Sequence, residues 1–185
     1  MDRVSADAGH EGATIRCVLF DFGETLVERV NDELQPLDEL TITAFSDAAP
    51  TLERLRQDGY RMAIVSNTSQ SGERHMLAAL QVLGLAGYFD AIVTSFEAGA
   101  EKPSPLIYDL ALQRLGCTRA EAAMVGNDPL TDIQGAAALG MITVLVARDV
   151  DHAQGPGAPA TFTVGSLREV PGLLQPAGVD RTDPA

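Results

Sequence analysis

Val18-Leu19-Phe20-Asp21-Phe22-Gly23-Glu24-Thr25-Leu26 is the stretch that decides the fold. An apolar run ends abruptly in an acid, and a glycine, a second acid and a hydroxyl follow. Residues 15–20 are apolar at nearly every position, which suits a strand buried on both faces of a parallel sheet. In open α/β sheets, ligands bind just beyond the carboxyl ends of the strands, and Asp21 stands at such an end. A carboxylate there has three uses: it binds a metal, attacks an electrophile, or caps the next turn. Taken alone, the stretch favours the cap, because aspartate after a strand is commonly structural.

Three later stretches change that balance. Ala63-Ile64-Val65-Ser66-Asn67-Thr68 is a second apolar run ending in small polar residues. Glu101-Lys102-Pro103 sets a lysine just before a helix whose first positions are Ser104 and Pro105. Ala123-Met124-Val125-Gly126-Asn127-Asp128-Pro129-Leu130-Thr131-Asp132 is a third apolar run ending in acids. Singly, each has a bland explanation: Ser66 as a turn residue, Lys102 as a solvated side chain, Asp128 and Asp132 as helix N-terminal acids. Jointly, carboxylate, hydroxyl, lysine and carboxylate pair fall in order at the ends of successive βα units. That pattern resembles the haloacid dehalogenase superfamily of hydrolases. From Lys102 through Ile133-Gln134-Gly135-Ala136-Ala137-Ala138-Leu139-Gly140-Met141, the chain looks closest to that superfamily's phosphatase-rich branch. The resemblance covers residues 15–174.

The resemblance implies a three-layer α/β/α, Rossmann-like fold with a central parallel sheet. The Asp21 strand lies in the middle, between the Ser66 strand and the Asp128 strand. It implies that Asp21 attacks phosphorus and becomes a phosphoaspartate. Ser66 and the backbone N–H of Asn67 bind the phosphoryl group, Lys102 holds nucleophile and phosphate, and Thr25 ties down the turn. Mg²⁺ is the implied cofactor, on Asp21, the Gly23 carbonyl, Asp128 and the neighbouring Asn127; Asp132 orients Lys102 or a metal-bound water. Gly23 counts at both the metal and the substrate. Two positions depart from the family pattern. Gly23 stands where its phosphatases usually carry a second aspartate that protonates the leaving group. Asn127 stands where the metal aspartate usually follows the glycine. A true dehalogenase, or a catalytically weak binding protein of the same fold, is the alternative.

Composition bounds the rest. A net charge of −13 argues against a nucleic-acid groove. No apolar run is long enough to span a membrane, and the acidic start lacks the pattern of a signal peptide. The cysteines, Cys17 and Cys117, make no disulfide framework; Cys17 reads as buried packing and a reducing cytoplasm as the setting. Residues 1–13 read as an arm, 14–174 as one core domain and 175–185 as a polar tail. Residues 27–47 are acidic and irregular, a flap over the strand ends, with a short strand expected at Thr41-Ile42-Thr43. Neither usual insertion point has room for a full cap, so an open site is expected. It would serve a small phosphorylated substrate or a larger, carrier-bound one, or be closed by a neighbouring subunit of a homo-oligomer.

Overall fold

The computed structural model describes residues 14–148 and 159–174. The arm at 1–13, the tail at 175–185, His10, His152 and most of the loop after Arg148 lie outside the described residues. Six parallel strands form one sheet: β1 (Cys17–Phe20), β2 (Arg61–Ser66), β3 (Ala91–Thr94), β4 (Ala122–Gly126), β5 (Ile142–Val146) and β6 (Phe162–Val164). Their order is β3-β2-β1-β4-β5-β6. β1 is therefore central, with Phe20 in register with Ile64 on one side and Val125 on the other.

Both faces of the sheet are covered, which is why β1 and β4 are apolar and buried at every position. Alternation along β1 divides the core in two. Val18 and Phe20 pack with Leu52 and Leu55 of α1 (Ala48–Gln57) and with Met76 and Leu80 of α2 (Glu73–Val82). Cys17 and Leu19 pack on the other face with Ile107, Ala111 and Leu115 of α4 (Pro105–Leu115). The result is three layers, α/β/α, as the resemblance implied. A short α3 (Ser95–Ala98) follows β3, and α6 (Val170–Leu173) closes the described chain.

Several expectations need correction. Thr41-Ile42-Thr43 is not a strand. The flap makes one antiparallel bridge, Val27 to Ala44, and a Glu28 N–H to Thr43 carbonyl bond of 2.8 Å. Its regular element is a 3₁₀ turn, Leu37–Glu39. After β4 the chain runs through a π-helix, Pro129–Gln134, and then α5, Gly135–Ala138. The Asp128 carboxylate accepts the N–H groups of Leu130 and Thr131 (2.8 and 2.7 Å). Its carbonyl accepts from both Asp132 and Ile133, which widens the first turn. The cysteines are paired: Cys17 on the α4 face of β1 and Cys117, just past the Gly116 cap, form a disulfide with Cα atoms 6.5 Å apart.

Arg148, just beyond β5, braces the turn after β1. Its guanidinium makes two 2.9 Å bonds to Asp47, donates to the Thr25 carbonyl at 2.9 Å and lies over the Phe45 ring. Asp47 also accepts from the Ser166 hydroxyl and the Leu167 N–H. Burial raises the Asp47 pKa, but the Arg148, Ser166 and Leu167 bonds outweigh it and hold the carboxyl below the usual aspartate range. A carboxyl depressed on folding stabilises the fold above its unfolded pKa, and that contribution fades as pH falls through the folded value. Asp47→Asn should therefore be less stable than wild type at neutral pH, with the gap closing below about pH 4. Urea midpoints at the two pH values measure it.

Candidate active site

The three central strands end side by side, and their loops form one pocket of about 190 Å³. Asp21, Ser66, Lys102, Asn127, Asp128 and Asp132 line it. Gly23 and Asn67 line it as well. Thr25 does not: it is fully buried behind Asp21. Its hydroxyl lies 3.1 Å from Asp21 Oδ2 and 3.2 Å from Asn127 Oδ1. One hydroxyl carries one proton, so Thr25 donates to one of these oxygens at a time. The tight turn that re-aims the chain places Glu24 at φ 59°, while Gly23 needs no left-handed backbone. A Cβ at Gly23 would meet Val30 Cγ2 at 3.3 Å, so an added side chain requires Val30 to give slightly.

Lys102 is the only lysine in the chain, and it is buried here. Its Nζ donates to Asp21 Oδ1 at 2.6 Å and to Asp132 Oδ1 at 2.7 Å. Its backbone is pinned by the Asn67 side chain, which accepts from Lys102 N at 2.8 Å and donates to Lys102 O at 3.0 Å. The sequence placed Asn67 at the phosphoryl group through its N–H; its side chain has this second task, which spacing does not reveal. Asp132 Oδ2 accepts from the Asp128 N–H at 3.0 Å. Gly126 lies directly against the Asp132 carboxylate, and any Cβ there would displace it.

Burial alone would lower the Lys102 pKa, but Asp132 and Asp21 outweigh it, and the ammonium stays charged well above the usual lysine range. Burial raises the Asp132 pKa, and the negative charge of Asp21 adds to this against the opposing pull of Lys102. Two carboxylates thus share one cation, leaving the cluster net negative before any substrate arrives.

The flap, whose Val30, Asp32 and Leu37 line this pocket, is tied to the loop after β2. The Asp32 carboxylate accepts from the N–H of Ser69 (2.9 and 3.1 Å) and of Gln70 (3.0 Å), and the Leu37 N–H donates to Ser71 Oγ at 2.9 Å. Nothing in the sequence separates Asp32 from the other flap acids.

Asp21, Gly23, Asn127 and Asp128, the residues expected to hold Mg²⁺, all line the pocket and offer oxygens: two carboxylates, an amide and a backbone carbonyl. Among the described residues, no group of three or more His, Cys, Asp or Glu side chains is clustered to hold a metal. An oxygen set with few carboxylates fits Mg²⁺, which keeps several of its waters, and does not fit a softer ion. One Asp128 oxygen is occupied by the helix cap, leaving the other for a ligand.

A haloacid dehalogenase-like hydrolase family model matches residues 23–140. Ribulose-1,5-bisphosphate 5-phosphatase of Halopiger xanaduensis is 42% identical over 109 residues, 59% of this chain and 44% of that protein. (S)-2-haloacid dehalogenase 4A of Burkholderia cepacia is 36% identical over 134 residues, 72% of this chain and 56% of that one. The chain thus spans about half the length of these curated relatives. The crystal structure of an uncharacterized protein from Listeria monocytogenes superposes with a TM-score of 0.75 at 33% identity, covering 86% of this chain and 97% of that one. With the central strand, the strand-end carboxylate and the matched segment in agreement, this chain belongs to the haloacid dehalogenase-like hydrolases.

Proposed function

We propose that the protein is a Mg²⁺-dependent phosphatase, or phosphotransferase, that works through a phosphoaspartate on Asp21. The observation that carries this reading is the Asp21 carboxylate at the end of the central strand. One of its oxygens is held by Lys102 at 2.6 Å, and its side faces a pocket shared with Ser66 and Asp128. In the first step Asp21 Oδ2 attacks phosphorus, and the bond to the leaving oxygen breaks in line. Lys102 holds one Asp21 oxygen and aims the carboxylate, while the Ser66 hydroxyl and Asn67 N–H bind phosphoryl oxygens. In the second step water attacks the same phosphorus, the bond to Asp21 breaks and the carboxylate is restored. Asp21, Asp128, Asn127 and the Gly23 carbonyl would hold Mg²⁺, which would supply the charge neutralisation that lets an anionic nucleophile meet a phosphate. A small phosphorylated substrate suits the pocket volume. A cytoplasmic setting belongs to the same reading; there, local redox poise decides whether the cysteine pair is oxidised.

Gly23 cannot protonate a leaving group. General-acid help is worth roughly 10²–10⁴ in rate. Aryl and acyl phosphates, whose leaving groups need little protonation, should therefore be hydrolysed far faster than alkyl phosphates. Chelation should abolish both activities, and Asp128→Asn, which keeps an acceptor for the cap, should raise the Mg²⁺ concentration needed more than Asn127→Ala does. Equal rates across leaving groups, with chemistry rate-limiting, would assign the proton to another residue. Full activity in excess chelator would remove the metal from the account.

Dehalogenation is the second reading. Gly23 and Asn127 favour it, because displacing halide from carbon needs neither a leaving-group acid nor a full carboxylate set. Halide release from a 2-haloacid, with no phosphatase activity, would establish it.

A further inference from the structure

We propose that the pocket selects phosphate esters whose only anionic group is the phosphoryl group, with a small neutral or cationic remainder. This rests on the phosphatase reading and names its substrate class. Five carboxylates line the pocket, those of Asp21, Glu24, Asp32, Asp128 and Asp132, against one cation, Lys102. That cation is spent: both of its carboxylate contacts, at 2.6 and 2.7 Å, are internal. The phosphoryl group has the oxygen-donor set and the Ser66 side to bind to. A second anionic group on the substrate has nothing. Val30 and Leu37 also line the pocket, and they bring no charge to offset Asp32 and Glu24. Arg29, 85% exposed and 3.9 Å from Glu24, and Arg148, committed to Asp47, line a neighbouring cavity instead. The flap clasp fixes Asp32 in place, so the repulsion is built into the flap and does not relax by a side chain swinging away.

Glycerol 3-phosphate and 3-phosphoglycerate are a matched pair: three carbons each, differing by a carboxylate. Phosphoethanolamine adds a cation, and an aryl phosphate reports the basal chemistry. The glycerol and ethanolamine esters should exceed 3-phosphoglycerate in kcat/KM by roughly tenfold or more at low salt. Raising the salt concentration should narrow the gap, since screening weakens charge repulsion. Glu24→Gln and Asp32→Asn should each narrow it too; asparagine keeps one acceptor for the clasp. A ratio near one in the wild type, with aryl phosphate hydrolysed, would overturn this selectivity and leave the phosphatase reading standing. A ratio that neither substitution moves would overturn its electrostatic cause. Failure to hydrolyse any ester would remove both.

Discussion

Asp21→Asn is expected to fold as well as the wild type and to lose turnover by roughly 10⁴-fold or more. An amide neither attacks phosphorus nor offers an anionic metal ligand. Stability should survive because Lys102 keeps its bond to Asp132, 2.7 Å away, when the Asp21 charge is gone. The substitution also removes a like charge from beside Asp132, so the Asp132 pKa should fall toward the ordinary range. Steady-state hydrolysis of an aryl phosphate, together with urea unfolding of the same preparation, separates loss of chemistry from loss of fold.

Lys102→Met should damage both fold and catalysis. It leaves Asp21 and Asp132 facing each other without a cation, and Asp132 is wholly buried. Removing one partner of a buried ion pair costs about 3–5 kcal/mol. The sign with pH follows from the carboxyls. Burial raises the Asp132 pKa, and loss of the Lys102 cation raises it further above the unfolded value, so the stability deficit grows as pH rises and is smallest in acid. Lys102→Met combined with Asp132→Asn should recover much of the stability, because the second change removes the stranded charge, but not the turnover. Urea midpoints and kcat for the two single variants and the double variant measure the coupling. A Lys102→Met protein as stable as wild type at neutral pH would contradict the shared-cation geometry.

The sheet was legible because buried parallel strands announce themselves. Residues 17–20, 62–65 and 122–126 are apolar and are followed by polar residues, and the family resemblance supplied the strand order. The bonds of Lys102 to Asp21 and Asp132 match the roles that the same resemblance implied. Other features were not legible. The Asn67 clamp depends on a side chain crossing to a backbone brought near only by the sheet. Arg148 and Asp47 are separated by 101 residues, and no local pattern joins them. The Asp32 clasp hides among flap acids of the same type. The disulfide was missed because paired cysteines in a chain with no cysteine pattern look like packing, and only the β1 face alternation brings Cys17 toward the end of α4. The π-helix follows from Asp128 acting as a cap, the structural use that was first considered for Asp21 and belongs to its neighbour instead.

The covalent step on Asp21 is tested most directly by acid-quenching the enzyme during turnover of an aryl phosphate with Mg²⁺ and sequencing the fragment spanning residues 17–29 by mass spectrometry. The account predicts a fraction of that fragment carrying one added phosphoryl group on Asp21, labile to hydroxylamine and missing from Asp21→Asn. Turnover in the steady state with the group on another residue, or with the fragment unmodified when the second step is shown to be slower than the first, would contradict it.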